Sequence, residues 1–426
     1  METRNIILAI VLSVGVLLIW TVFIEAPRQQ INQSVESGQQ NSIGEIAELE
    51  TEELNQIEED LGIKNQSFKT LEDSLQGSAR VNIDTQSLEG SINLKGLKID
   101  DIILKKYQET LDENSSNIRV LSPLSTENGY EVSFGWLKEK DANFETPTSE
   151  SEWKLISSSN TLRENNELKF EWSNNTGQIY RTSISVDENY LFSVKQKVIN
   201  NSNQEIILNN ASKINRQTAP ALSGMFILHE GLLGVLEEKL ELIDYDDLKD
   251  ENETLNFESD NGWVGITDKY WLAALIPDQE KPFKAIYTYD SGYIAYYRSL
   301  NAQSVQSNGE FEVNSKIFIG AKEAKLIDQY QEDFNIYNFD LAIDWGWFYF
   351  LTKPLFYIIY YFSGISGNFG LAIIILTIIT RIIFFPLANW SFVSMAKMKM
   401  LQPEMTRIKE LYKEDRPQQQ KALMDL

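Results

Sequence analysis

The stretch Asn368-Phe-Gly-Leu-Ala-Ile-Ile-Ile-Leu-Thr-Ile-Ile-Thr-Arg-Ile-Ile-Phe-Phe-Pro-Leu387 decides how this chain is read. A helix of about 20 mostly apolar residues is long enough to cross a bilayer. The stretch carries one charge, Arg381, and a guanidinium in hydrocarbon is costly enough to need a reason. Thr377 lies one turn earlier on the same helical face. Gly370 and Ala388 lie about two turns beyond Thr377 and Arg381 respectively, which gives a small and polar stripe opposite an Ile/Leu/Phe face. Two readings stand side by side. Arg381 either snorkels past Leu387 to the headgroups, roughly 9 Å along the helix, or faces a wet cavity inside a helical bundle.

The 426 residues carry a formal net charge of −24 and an ordinary 42% of hydrophobic residues. Most of the chain is therefore soluble protein with local membrane segments, in two or three domains. The acidic balance argues against nucleic acid as a partner, because phosphate binding needs clustered Lys and Arg. There is no cysteine and one histidine, His229. Disulfides, thiolate metal sites, Cys nucleophiles and paired-His chemistry are excluded by count. No cofactor or metal is expected. Alone, His229 reads as structural.

Outward from the central stretch, the N-terminus holds a second apolar run from Ile6 to Ile24. It is longer than a signal-peptide core, and Phe23-Ile-Glu-Ala-Pro27 is a poor cleavage site. Residues 1–28 are read as an uncleaved transmembrane anchor. Arg4 favours a cytoplasmic N-terminus, weakly, since Arg28 lies on the far side. Residues 29–79 are rich in Gln, Asn, Ser and Glu and are read as a disordered acidic tether.

From about residue 80 the pattern becomes period-two. Tyr130, Val132, Phe134 and Trp136 alternate with polar or small residues. So do Leu168, Phe170 and Trp172, then Tyr180, Thr182, Ile184 and Val186 across the turn-like Ser173-Asn-Asn-Thr-Gly177. Asp290-Ser-Gly292 inside 283–297 is a hairpin signal. Phe311, Val313, Ile317 and Ile319 supply another strand. Many short strands with Asn/Gly/Asp turns predict an all-β antiparallel sandwich over residues 80–335. Two helices are expected within it, one over Val235 to Leu248 and one over Glu323 to Phe334. No catalytic set is visible in the domain, and its scattered carboxylates read as a charged surface.

The run from Trp345 to Phe362, with Trp347 and many Tyr, is of the kind that collects at membrane–water interfaces. As a second span it would put the basic tail (Lys397, Lys399, Arg407, Lys409, Lys413, Arg416, Lys421) outside, against the positive-inside rule. Residues 336–367 are therefore read as a flat interfacial helix, residues 368–387 as the transmembrane helix, and residues 388–426 as a cytoplasmic helical hairpin. Met398, Leu401, Met405, Ile408 and Tyr412 repeat at steps of three and four, a coiled-coil seam. Asp415 and Pro417 mark the start of a second helix. Its apolar residues have only the first hairpin arm as partner, so the chain reads as a fragment.

Several of these residues together carry a resemblance. The anchor, acidic tether, β domain, aromatic run, span with Arg381, Pro386-Leu387 and Ser394-Met-Ala-Lys-Met-Lys-Met-Leu-Gln-Pro403 follow the order of the YidC/Oxa/Alb family of membrane protein insertases, which the chain resembles. Asn261-Gly-Trp-Val-Gly-Ile-Thr-Asp-Lys-Tyr-Trp-Leu-Ala-Ala-Leu-Ile-Pro277 and Ile317-Phe-Ile-Gly320 resemble that family's periplasmic domain. The resemblance implies a periplasmic β-supersandwich like that of sugar mutarotases, in a multi-pass protein of the bacterial inner membrane. It implies a hydrophilic groove around Arg381 and Thr377 that receives nascent membrane proteins. It also implies that Met395, Lys397, Met398, Lys399, Met400, Leu401 and Met405 of the hairpin recruit substrates, the Sec translocon or the ribosome. An insertase of this kind does no bond-making chemistry. The blander reading of the methionines is seam packing. The competing classes are an anchored periplasmic carbohydrate-binding module and a scaffold, and fold alone decides neither.

Overall fold

The computed structural model describes residues 68–426 except 113, 221–227, 252–253, 347 and 414. The expected N-terminal anchor, the tether as far as residue 67, and Trp347 lie outside the described residues. Two compact units emerge, a β unit ending at Ala342 and a helical unit containing Ile343–Leu426.

The β unit is two large sheets, antiparallel apart from one short parallel pairing of Arg80–Asp84 with Thr161–Leu162. Among the described residues one sheet has eleven strands. Its centre runs Phe283–Tyr289, Tyr293–Ser299, Ile206–Arg216, Tyr130–Lys138, Lys98–Gln108 and Leu88–Asn93. The other has nine, with Gly231–Leu236, Trp263–Thr267, Trp271–Ile276, Gly309–Ala321, Leu191–Asn200, Gln178–Val186 and Glu167–Ser173 in that order. The alternating residues meet between the sheets. Tyr130, Val132, Phe134 and Trp136 are all buried. The Tyr130 hydroxyl donates to the Ile266 carbonyl of the opposite sheet at 3.1 Å, and the Trp136 ring meets Phe311 edge-on at 6.1 Å. The expected hairpins form. Glu167–Ser173 pairs with Gln178–Val186, and Tyr289 faces Tyr293 across Asp290–Gly292.

The helix expected over Val235 to Leu248 is not there. Those residues continue a hairpin, Gly231–Leu236 paired with Lys239–Asp244, and only then enter the short helix α2. Among the described residues the helices are α1 (Leu71–Gln76), α2 (Tyr245–Glu251), α3 (Ala324–Phe334), α4 (Tyr349–Ser366), α5 (Phe369–Leu411) and α6 (Arg416–Asp425). The physical reason lies in the neighbours. Gly231–Leu236 is buried on every residue, with Tyr287 of the other sheet donating to its Leu233 carbonyl and the turn over Phe339–Ala342 packed against it, and burial on both faces erases alternation. The turn itself, Glu237-Glu238, has both residues at positive φ (49° and 66°). That is the geometry of a two-residue hairpin loop normally announced by Asn-Gly.

Helix α3 matches its expectation and buries Ile327 and Tyr330. Ordered structure also flanks the expected domain on both sides, including residues 68–79 of the expected tether. Thr70 caps α1 by accepting from the Asp73 amide, and the Lys69 amide donates to Ser125 at 2.7 Å. Beyond α3, Ile336, Phe339 and Ala342 are buried, with Phe339 edge-on to Trp263 at 5.4 Å and to Phe318 at 5.7 Å.

Candidate functional face of the helical unit

Helices α4 and α5 are joined by a tight turn and pack on each other. Gly367 ends α4 in the left-handed conformation (φ 65°), its amide donating to the Ser363 carbonyl. The Asn368 side chain then caps α5 by accepting from the Leu371 amide at 3.1 Å. Glycine past the end and asparagine at the start are what each position demands. Trp345 packs back on α4, its ring edge-on to Phe356 at 5.3 Å, and its carbonyl accepts from the Thr352 hydroxyl at 2.8 Å.

Helix α5 is 43 residues long, about 65 Å at 1.5 Å per residue. It runs through Pro386 and Pro403 without a break. A membrane core is about 30 Å thick, so the helix is longer than any span requires. Among the described residues it is the one helix long and apolar enough to cross a membrane, with a mean hydropathy of 2.5 in its best window.

The side of α5 that packs on α4 is specific. Ala372 is fully buried and Ile375, Leu376, Ile379 and Thr380 are half-buried. At about 100° per residue, Thr377 and Arg381 point about 140° and 180° away from Ala372. Both are exposed. The Thr377 hydroxyl donates to the Ile373 carbonyl one turn back at 2.8 Å, a bond common for threonine in apolar helices. Its lone pairs still face outward. The structure therefore brings Thr377 and Arg381 together on one face. It also shows what the sequence alone did not, that α4 covers the opposite side.

Further along α5, Met395, Lys397, Met398, Lys399 and Met400 are exposed, and Leu401 is 39% exposed. Of the expected seam only Met405, Ile408 and Tyr412 are half-buried. Helix α6 turns back beside them. Asp415 caps it by accepting from the Gln418 amide at 3.2 Å, and Pro417 sits in its first turn. The Gln419 side-chain amide donates to the Lys409 carbonyl at 3.0 Å. Ten residues of α6 reach back about 15 Å along α5. From Asn368 to Pro403 the charges on α5 are Arg381, Lys397 and Lys399, all positive.

The comparisons with known proteins agree over the whole chain. Residues 80–358 match the YidC periplasmic domain family, and residues 361–426 match the 60Kd inner membrane protein family. The membrane protein insertase YidC of Pelagibacter ubique is 40% identical over 428 residues, covering 100% of this chain and 74% of that protein. The insertase of the same name from Rickettsia felis is 37% identical, covering 99% and 74%. Among solved structures, a galactose mutarotase related enzyme from Lactobacillus acidophilus aligns with a TM-score of 0.40 and 10% identity. It covers 57% of this chain and 97% of its own. The chain belongs to the YidC family of membrane protein insertases.

Proposed function

We propose that the chain acts as a multi-pass insertase and membrane chaperone in a bacterial inner membrane, alone or with the Sec translocon, through a hydrophilic groove walled by the Thr377–Arg381 face of α5. The observation that carries this is the orientation of α5. Its one intramembrane cation and an adjacent hydroxyl lie opposite the α4-packed stripe, exposed on a helix otherwise made of Ile, Leu and Phe. A guanidinium there attracts carboxylates strongly where water is scarce, and a hydrated groove lowers the cost of moving polar residues through hydrocarbon. In this reading residues 1–28 anchor the chain, the expected tether 29–79 gives way to ordered chain by residue 68, the β domain with its flanks as far as Ala342 is periplasmic, the rest of 336–367 lies along the interface near Trp345 and Trp347, and 368–387 crosses. Residues 388–426 are the cytoplasmic hairpin. The exposed Met395, Met398, Met400 and Leu401, flanked by Lys397 and Lys399 and followed by Met405, present an adaptable apolar surface to nascent chains, the translocon or the ribosome.

The test is insertion by the full-length protein in proteoliposomes, using single-span substrates whose translocated tails carry graded negative charge. Arg381→Lys keeps most of the yield, because the charge matters more than the planar fork. Arg381→Ala loses yield most for the acidic tails, by about tenfold if one charge-assisted contact of about 1.4 kcal/mol is lost. Equal loss for every tail would sink the electrostatic role while leaving insertion itself intact. Loss with Lys as well, together with falling protein levels, would point to a buried ion pair instead.

A further inference from the structure

A groove of about 410 Å³ opens on the outer face of the nine-stranded sheet, beside the C-terminal end of α3. Its floor is set by strand register. Ser193 faces Lys316 and Lys195 faces Asn314 across Leu191–Asn200 and Gly309–Ala321, so all four side chains share one face. The exposed Phe334 ring forms an apolar wall, backed by the buried Ile276 and Ile336. That wall is fixed by Gln279. Its amide oxygen accepts from the Gly262 and Tyr337 amides at 3.2 and 3.1 Å, and its nitrogen donates to the Gly262 and Pro277 carbonyls at 2.8 and 2.9 Å. The groove is thus held in shape before anything enters it.

The floor carries two cations, of which Lys195 is paired with Glu167 at 3.9 Å. The half-buried Lys316 ammonium stands 4.2 Å from the Phe334 ring and donates to the Ser193 hydroxyl at 3.4 Å. Among the described residues it has no carboxylate within ion-pair distance. Asp187, the nearest carboxylate that influences it, is hydrogen-bonded to the Tyr330 hydroxyl and to the Asn189 and Leu191 amides. Burial lowers the Lys316 pKa, and the neighbouring Lys195 lowers it further against the pull of Asp187. At the rim stand Asp278, paired with Lys281 at 3.0 Å, and Glu280. They oppose polyanions such as phosphate esters but leave room for one carboxylate at the floor. The Asn314 amide makes no hydrogen bond among the described residues, and its donor and acceptor suit a peptide backbone.

We propose that this groove binds an extended peptide segment that presents one carboxylate to Lys316 and an adjacent apolar side chain to Phe334. The proposal goes beyond insertion through α5 and needs only the β unit's surface. It is tested by calorimetric titration of the full-length protein in a neutral detergent with the capped peptide acetyl-Leu-Glu-Phe-amide and its Gln counterpart. The Glu peptide binds about tenfold tighter than the Gln peptide, the scale of one charge-assisted hydrogen bond. Lys316→Gln abolishes that preference and Lys316→Arg keeps it. Lys195→Gln, at the exposed edge, reduces it less. Equal affinity of the two peptides, or a preference that survives Lys316→Gln in a folded protein, overturns the proposal. Displacement of the Glu peptide by sodium acetate or by decanoate at matching concentration overturns it too, in favour of a small-carboxylate or fatty-acid site.

Discussion

Arg216 shows how a single residue joins the two layers. It leaves the eleven-stranded sheet and donates to Asp268 at 2.5 Å, to the Tyr245 hydroxyl at 3.2 Å and to the Thr218 carbonyl at 3.2 Å. Its guanidinium lies 4.7 Å from the Tyr130 ring centre. Arg216→Met strands the Asp268 carboxylate, and breaking such a buried pair costs about 3–5 kcal/mol. Adding Asp268→Leu recovers much of that loss, because the desolvated charge is gone. Denaturant unfolding of the β unit, followed by tryptophan fluorescence, checks both. An equal loss in the single and double variants would show that the aromatic packing, not the ion pair, carries the effect. Gly320, which ends the family-like Ile317-Phe-Ile-Gly320, has a different reason to be there. A methyl group at that position would lie 2.2 Å from Cγ of the fully buried Tyr190. Gly320→Ala therefore destabilises by about 1–3 kcal/mol through overpacking, read in the same unfolding experiment.

Among the elements, the hairpin over Gly231–Asp244 yields the clearest prediction. Glu238 holds φ 66° at an exposed turn, a conformation that costs a non-glycine residue about 1–2 kcal/mol. Glu238→Gly removes that strain and gives back about 0.4–1 kcal/mol in unfolded-state entropy. The net gain is about 0.5–1 kcal/mol, seen as a higher denaturation midpoint with unchanged slope. The same element explains what the sequence could and could not reveal. Strands with one wet face, such as Gln178–Val186, showed themselves by alternation. Gly231–Leu236 is covered on both faces and its turn lacks glycine, so periodicity suggested a helix. On α5, the shared face of Thr377 and Arg381 was legible because helical spacing is local. Which side α4 covers was not, because that depends on the stripe centred on Ala372 meeting a partner some residues away. The seam over Met398–Tyr412 was half legible. Its Met405, Ile408 and Tyr412 are half-buried while Met398 and Leu401 are exposed, and spacing alone does not say which positions a partner covers.

At the scale of the molecule, the β unit holds together without disulfides, and much of its interior is phenolic. Tyr130, Tyr287 and Tyr297 are buried, and burial raises each pKa, well above the ordinary value for the first two. Tyr180, Tyr190, Tyr245 and Tyr330 shift the same way, again mainly through burial, with Glu323 adding to it at Tyr190 and Asp187 at Tyr330. At Tyr107 burial and the hydrogen bond to Glu323 push the pKa up to about 12. A phenol whose folded pKa lies above its unfolded value of about 10 contributes stability that is fully present below pH 10. That stability is lost as the pH rises, because the unfolded chain releases protons the folded chain keeps. Lys98 acts in the same direction: burial pulls its pKa down, but the carboxylates of Glu131, Asp100 and Glu150 together raise it. Lys316, lowered by burial, acts in the opposite direction, but it is one group against eight tyrosines and Lys98. Stability should therefore fall above about pH 10, by about 1.4 kcal/mol per pH unit for each group still protonated only in the folded state. A pH series of thermal unfolding, read by near-ultraviolet circular dichroism alongside phenolate absorbance, measures this. The buried phenols should ionise only together with the loss of tertiary signal, in one cooperative step. Full phenolate absorbance with the dichroism intact would mean that water reaches these hydroxyls in the native state, and the link between burial and alkaline stability would fail.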